Sequence, residues 1–260
     1  MAKSNLALKD DDVSELSSLT DFMMDDAGKG VSQSQEDNIV PLIYLLQSNS
    51  APLKRSSDNY IAGSEAGDVW KRNSIHKSLV KSDEGFLFQP CFFEKVWPEW
   101  RPNRGGLVGI HKDKPPDARE TVLMQEGKER KAWIRANGNS VVETRQHVGF
   151  ADGEAYVIPL SSTGHSVSRQ FMQMMNQVII PGTNKIAPSF SCKYKFTTVE
   201  RTKDSNSWFV FKVEPGGWVS PEEYRRGKAL YEAFSKGEKT ADVVDHDLDQ
   251  GRENEEEVPF

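Results

Sequence analysis

Two stretches of the chain interleave cations with indole rings. The first runs Phe92-Phe93-Glu94-Lys95-Val96-Trp97-Pro98-Glu99-Trp100-Arg101-Pro102-Asn103-Arg104-Gly105-Gly106. Here Trp97 and Trp100 could clamp bases while Arg101 and Arg104 meet phosphates. Equally, both indoles could plug the end of a β core. The second is the pair of segments Phe190–Val199 and Trp208–Val213, joined by a polar turn. Side chains alternate across a strand, so Phe190, Cys192, Tyr194 and Phe196 share one face, with Lys193 and Lys195 on the other. If Phe209, Phe211 and Val213 join the same core, Trp208 and Lys212 stand beside those lysines. A face of lysines and one ring suits a single-stranded polyanion, since each stacked base contributes ~1–3 kcal/mol. A solvated sheet face that protects an edge is the plainer reading of the same residues. Lys128-Glu129-Arg130-Lys131-Ala132-Trp133, with Arg135, repeats the theme more weakly.

The chain's last residues, Glu255-Glu256-Glu257-Val258-Pro259-Phe260, follow an acidic run that begins at Asp242. A solubilising tail has no reason to finish in apolar residues, whereas a docking peptide does. Phe260 can fill a pocket while the carboxylates steer it to a basic partner.

Catalytic patterns are sparse. Pro116-Asp117 followed by Glu126-Gly127-Lys128 has the letters of a metal-dependent nuclease site. That chemistry needs the second acid and the lysine on a buried strand, and these lie in a charged, glycine-containing stretch. The five histidines, His76, His111, His147, His165 and His246, lack metal-ligand spacing. Cys91 and Cys192 read as two buried thiols. No catalytic residue, metal or cofactor is predicted, and the protein is read as a non-enzyme.

Those residues need a β scaffold to position them. Candidate strands are 39–47, 85–93, 141–150, 154–160, 190–199 and 208–213, with glycines as punctuation. The segment 113–130, with Pro115-Pro116, reads as a long hairpin or insertion. A helix is predicted over 168–178, ended by Pro181-Gly182. A second opens at Ser220-Pro221-Glu222-Glu223, an N-cap serine with proline in the first turn and glutamate at the third position. It runs through Tyr224, Leu230, Tyr231 and Phe234 to Gly237. Short strands with one interior and one terminal helix fit an oligonucleotide-binding (OB) type barrel with insertions, and a β-sandwich fits nearly as well.

Charge separates the chain into three parts. Of 260 residues, 1–37 carry nine acids and three bases, and 238–260 carry nine acids and two bases. The body, 38–237, holds 28 bases against 21 acids, although the whole chain is at −6. An apolar fraction of 37% and a mean hydropathy of −0.62 leave part of the chain outside any core. The arms 1–37 and 238–260 are therefore predicted to be disordered, with a short helix allowed near 13–24. No apolar run is long enough to cross a bilayer, and no signal core opens the chain. A reducing cytoplasm is the expected location, the host's if the protein is phage-encoded.

The tail resembles the C-terminal tip of bacterial single-stranded DNA-binding proteins, where an acidic run ends in a Pro-Phe pair. That resemblance implies recruitment of replication or recombination enzymes through Val258, Pro259 and Phe260, with Glu255, Glu256 and Glu257 supplying the charge. The body is longer and differently spaced. It resembles the single-stranded DNA-binding proteins of tailed bacteriophages, on Leu160-Ser161-Ser162-Thr163-Gly164-His165-Ser166-Val167-Ser168-Arg169, then a helix, then the aromatic hairpin. The expectation is a mainly β, OB-fold-like barrel with a C-terminal helix, binding single strands regardless of sequence. A phage structural or host-interaction protein without enzymatic activity is the alternative. The sequence leaves homo-oligomer formation open.

Overall fold

The computed structural model describes residues 39–72, 77–102, 106–125, 128–203 and 206–241. In chain order the strands begin with β1 (Ile39–Val40), β2 (Ile43–Leu45), β3 (Val69–Arg72), β4 (Lys77–Val80) and β5 (Phe86–Trp100). Next come β6 (Leu107–His111), β7 (Arg119–Gln125), β8 (Lys128–Ile134), β9 (Ser140–Val141), β10 (Thr144–Ala151) and β11 (Glu154–Ser161). Helix α1 (Gly164–Asn176) precedes β12 (Cys192–Lys203) and β13 (Asn206–Trp218); α2 (Pro221–Ser235) and β14 (Thr240–Ala241) follow. The predicted arm 1–37, and residues 242–260 of the predicted tail 238–260, lie outside the described residues. So do Arg104, Glu126, and the tip residues Glu255, Glu256, Glu257, Val258, Pro259 and Phe260. Residues 240 and 241, placed in the tail by composition, belong to the body: β14 pairs in parallel with β1.

The fold is organised on β5. Its first half lies between β10 and β12, and β10 and β12 pair in turn with β11 and β13. Its second half lies between β6 and β9, and β9 leads through β8 to β7. Every pair in this sheet is antiparallel. Proline inside a strand removes a ladder donor, and β5 tolerates Pro90 because the register shifts beside it, at Val148/Gly149 of β10. Gly149 makes this approach feasible: a Cβ there would lie 2.1 Å from the carbonyl oxygen of Gln89.

The main core lies between one face of the first half and α1. Phe171 of α1 is fully buried, edge-on to Tyr194 at 5.0 Å and Phe196 at 5.2 Å. These strands bury this face because their apolar residues alternate: Tyr194 and Phe196 on β12, Phe211 and Val213 on β13. The opposite face of β5, β10 and β11 is covered by α2 and the 40–44 segment, through Val40, Leu42, Cys91, Val148, Val157, Leu230 and Phe234. Both cysteines are buried and unpaired, and burial pushes the Cys91 thiol up to about 12. Helix α2 begins as its sequence predicts. Ser220 Oγ accepts from Glu223 N–H at 3.2 Å, and Glu223 Oε2 accepts from Ser220 N–H at 2.8 Å.

The expected barrel is not closed. β11 and β13, the strands that would have to meet, do not pair with each other. The segment 41–47 stands between them and engages both. Val157 N–H donates to Pro41 O at 2.8 Å, and the Gln47 amide bonds both backbone groups of Phe209. From there β2 passes into a separate three-stranded sheet, β2-β3-β4. Among the described residues no helix is long and apolar enough to cross a membrane.

Candidate nucleic-acid interface

The register of the β12–β13 hairpin pairs Lys195 with Glu214, Thr197 with Lys212, Val199 with Val210 and Arg201 with Trp208. Lys195, Lys212 and Trp208 therefore share the face that alternation assigned to them, opposite Tyr194, Phe196 and Phe211. That face is narrower and less basic than the sequence reading expects. Val210 is buried, and Val199 and Trp208 pack against the main core, so the indole of Trp208 is a half-buried wall rather than an open platform. Lys193 sits at a register shift, and its Nζ donates to Glu223 Oε1 at 2.6 Å. This contact, together with the Ser220 N–H, holds the Glu223 carboxyl below its ordinary range. Lys212 Nζ lies 2.9 Å from Glu214 Oε1. Beyond the valines, Arg201 and Lys203 are exposed at the hairpin tip. The sequence reading passed over this pair as part of a turn, although two cations flanking a polar reversal were the available signal.

At the far end of β5, beside the insertion that follows it, the two tryptophans are interior. Trp97 is 6% exposed and Trp100 9%. Trp97 meets Trp133 edge-on at 6.3 Å, in a small core with Ala118 and Val141. Neither ring can clamp a base. The strand expected to end near Phe93 continues through Pro98 to Trp100, and the Pro98 carbonyl accepts from Val142 N–H at 3.1 Å. Arg101 is exposed directly after the strand. Lys114 stands 3.9 Å above the Trp133 ring, so an indole and an ammonium are already paired.

Below these groups lies a polar hub that the sequence reading missed. Glu99 is 2% exposed. Its carboxylate accepts from Arg135 Nη1 at 2.6 Å, Asn139 Nδ2 at 2.6 Å and Asn137 Nδ2 at 3.1 Å, and His111 Nε2 lies 2.7 Å away. Burial pushes this carboxyl up, but the donors of Asn139, His111, Asn137 and Arg135 together overcome it and hold the group at about 2. Arg135 Nε also donates to Asp117, at 3.0 Å to Oδ1, which lowers the Asp117 carboxyl. Asp117, the first acid of the nuclease-like letters, is thus tied to a guanidinium, and Glu126 lies outside the described residues. Among the described residues no three His, Cys, Asp or Glu side chains gather to hold a metal.

A third aromatic feature was also missed. Trp218, 54% exposed, ends β13 directly after Gly216-Gly217. The sequence reading closed this strand at Val213, and a glycine pair leading into an indole was the overlooked signal.

A model of the Pam3 phage gp34-like protein family matches residues 11–240. The chain belongs to that family of bacteriophage proteins. The matched span takes in both helices and strands β1 through β13 of this gp34-like chain, and so all the cationic and aromatic groups described above. No curated protein and no solved structure matches it.

Proposed function

We propose that this phage protein binds single-stranded DNA without regard to sequence and protects it during replication or recombination. The observation that carries the reading is the winding of its central unit. The path β5-β10-β11-α1-β12-β13, with β5 between β10 and β12 and the helix between the third and fourth strands, agrees with an OB unit opened between its third and fifth strands. OB units bind oligonucleotides on the face of their second and third strands and with the loops after the first and fourth. Here α2 covers much of the outward face of β10 and β11, so the reading moves the contacts to the two loops. The first loop is the insertion, with Arg101, Lys112, Lys114 and Arg119. The second is the hairpin tip, with Arg201, Lys203 and the flank of Trp208; Lys195 and Lys212 continue the second track along the hairpin. No cofactor enters this account, and the acidic tail would recruit partner enzymes and compete for the cations.

The test is a set of charge-reversal variants assayed with labelled oligo-dT by anisotropy. Arg201→Glu with Lys203→Glu, and separately Arg101→Glu, should each weaken binding and flatten its salt dependence. Unchanged affinity and slope in both would defeat the reading.

A second reading, a phage structural or host-interaction protein, draws on a different observation. Val108 is 50% exposed, Ile110 45%, Val122 53% and Leu123 40%, all on strands of the insertion. Exposed apolar side chains on these strands suit a protein partner better than a polyanion. Loss of particle assembly on Ile110→Lys, with DNA binding intact, would favour this second reading.

A further inference from the structure

Where β13 gives way to α2, the chain encloses a cleft of about 490 Å³. Its walls are Ile180, Pro188, Trp218, Pro221 and Tyr224, with Arg225 the one charged side chain among the described lining residues. Local structure builds it. Gly217 adopts φ 101°, a conformation that favours glycine, and Gly216 lies against Leu87 and Lys193, where a Cβ would come within 2.9 Å of Leu87 Cδ2. The two glycines take β13 tightly across β12 and leave Trp218 standing out of the sheet. Val219 N–H then donates to Ser191 O at 3.1 Å, and Ser220 caps α2. Tyr224, one turn into the helix, is fixed by its ring against Phe190 at 5.0 Å. The walls are thus preorganised and the indole is exposed.

The cations around the cleft are not equivalent. Lys193 is paired with Glu223, and Arg226 donates to Gly153 O while lying 4.9 Å from the Phe150 ring. Arg225 is exposed and makes no ion pair among the described residues. An exposed indole, a second aromatic ring and an uncommitted guanidinium suit a ligand that is flat and apolar on its faces and anionic at one end.

We infer that this cleft binds one nucleotide of a single strand, its base stacked on Trp218 and its phosphate on Arg225. The inference rests on the single-strand reading above and adds a contact outside the two loops. Stacking on an exposed ring is indifferent to base identity, which matches binding without sequence preference. The cleft volume lies within the range of small-ligand sites, roughly 300–1,000 Å³, so a base and its sugar can enter together. A protein side chain is the competing occupant, and the test separates the two.

The experiment titrates full-length wild type, Trp218→Ala, Trp218→Phe and Arg225→Ala with labelled oligo-dT, following anisotropy, with thymidine monophosphate as a separate ligand. Trp218→Ala should weaken oligo-dT binding about ten-fold. Trp218→Phe should restore most of it, and Arg225→Ala should lower the salt slope by about one. Trp218 is more than half exposed, so these changes leave the cores untouched, and matching melting curves verify that. If wild type binds oligo-dT and Trp218→Ala binds equally well, the cleft is not a nucleotide site, although the single-strand reading survives. If Trp218→Ala affects only the monophosphate, or only capture of a protein partner, the inference is likewise overturned. If wild type fails to bind oligo-dT, both fall.

Discussion

Gln47 and Phe209, 162 residues apart, exchange two hydrogen bonds: Gln47 Nε2 donates to Phe209 O at 3.0 Å, and Phe209 N–H donates to Gln47 Oε1 at 2.9 Å. A side-chain amide thereby occupies the place of a neighbouring strand on the edge of β13. With Pro41 accepting from Val157, it lets one short segment span two strands that do not pair. Gly67 belongs to the same junction, since any Cβ there would lie 2.6 Å from the Phe209 ring.

Gln47→Ala removes both bonds and leaves an N–H and a carbonyl of Phe209 in a partly buried place. The expected loss is about 1–3 kcal/mol, read from the denaturant midpoint with unchanged m-value. A loss of only a few tenths would show that water replaces the amide at no disadvantage.

Glu99 gives an acid-range signature. Its carboxyl is at about 2 in the folded protein, against an ordinary 4.5. The stabilisation is therefore present above pH ~4.5 and is lost as pH falls toward 2. At pH 7 Glu99→Gln should cost about 3 kcal/mol, because it also strands Arg135 beside a neutral amide. The gap between wild type and variant should close on acidification below pH ~4.5, and a gap that stays constant down to pH ~2.5 would contradict the assignment.

His147 acts earlier on the same axis. It lies between Phe93 at 5.0 Å and Phe171 at 4.9 Å, with Nε2 2.9 Å from Ser168 Oγ. Burial, aided by Arg145, pushes its imidazole down to about 3. Below pH ~6.5 the unfolded chain takes up a proton that the folded chain refuses until about pH 3, so stability falls through that window by ~1.4 kcal/mol per pH unit. His147→Gln should lower stability at pH 7 yet flatten the curve between pH 6 and 4. An unaltered slope would mean that His147 is protonated in the fold.

Deleting residues 242–260 removes eight acids and one base. If that segment competes for the cations that meet DNA, the truncated protein should bind oligo-dT more tightly at low salt, and the difference should vanish at high salt. Weaker binding after truncation would end the idea of competition.

The parts of the fold that could be read from the sequence are those fixed locally. The Ser220-Pro221-Glu222-Glu223 start of α2 is one, because its cap involves residues three apart. The alternation that buries Tyr194 and Phe196 while turning Lys195 outward is another, because strand parity needs no partner. The errors came from long-range packing. The strand predicted over 85–93 runs on to Trp100, because a bulge beside Pro90 and a partner that uses only the carbonyl of Pro98 keep it paired. Trp97 and Trp100 looked available because nothing nearby in sequence announces that Ala118, Trp133 and Val141 close over Trp97. The hairpin expected in the 113–130 insertion is present as β7 and β8, and charge hid only its extent: the pairing runs on to Ile134, through described side chains that are largely exposed and carry little apolar signal. The open edge between β11 and β13 depends on Gln47, whose role is visible only with Phe209 beside it.

The central claim is single-strand binding, and the most direct measurement is anisotropy of labelled oligo-dT with wild-type protein at 50 and 300 mM salt, on the order used for such titrations, with unlabelled duplex as competitor. The account predicts tight binding at low salt, a steep loss at high salt and little displacement by duplex. Absence of binding at low salt, or displacement by duplex as effective as by unlabelled oligo-dT, would contradict it.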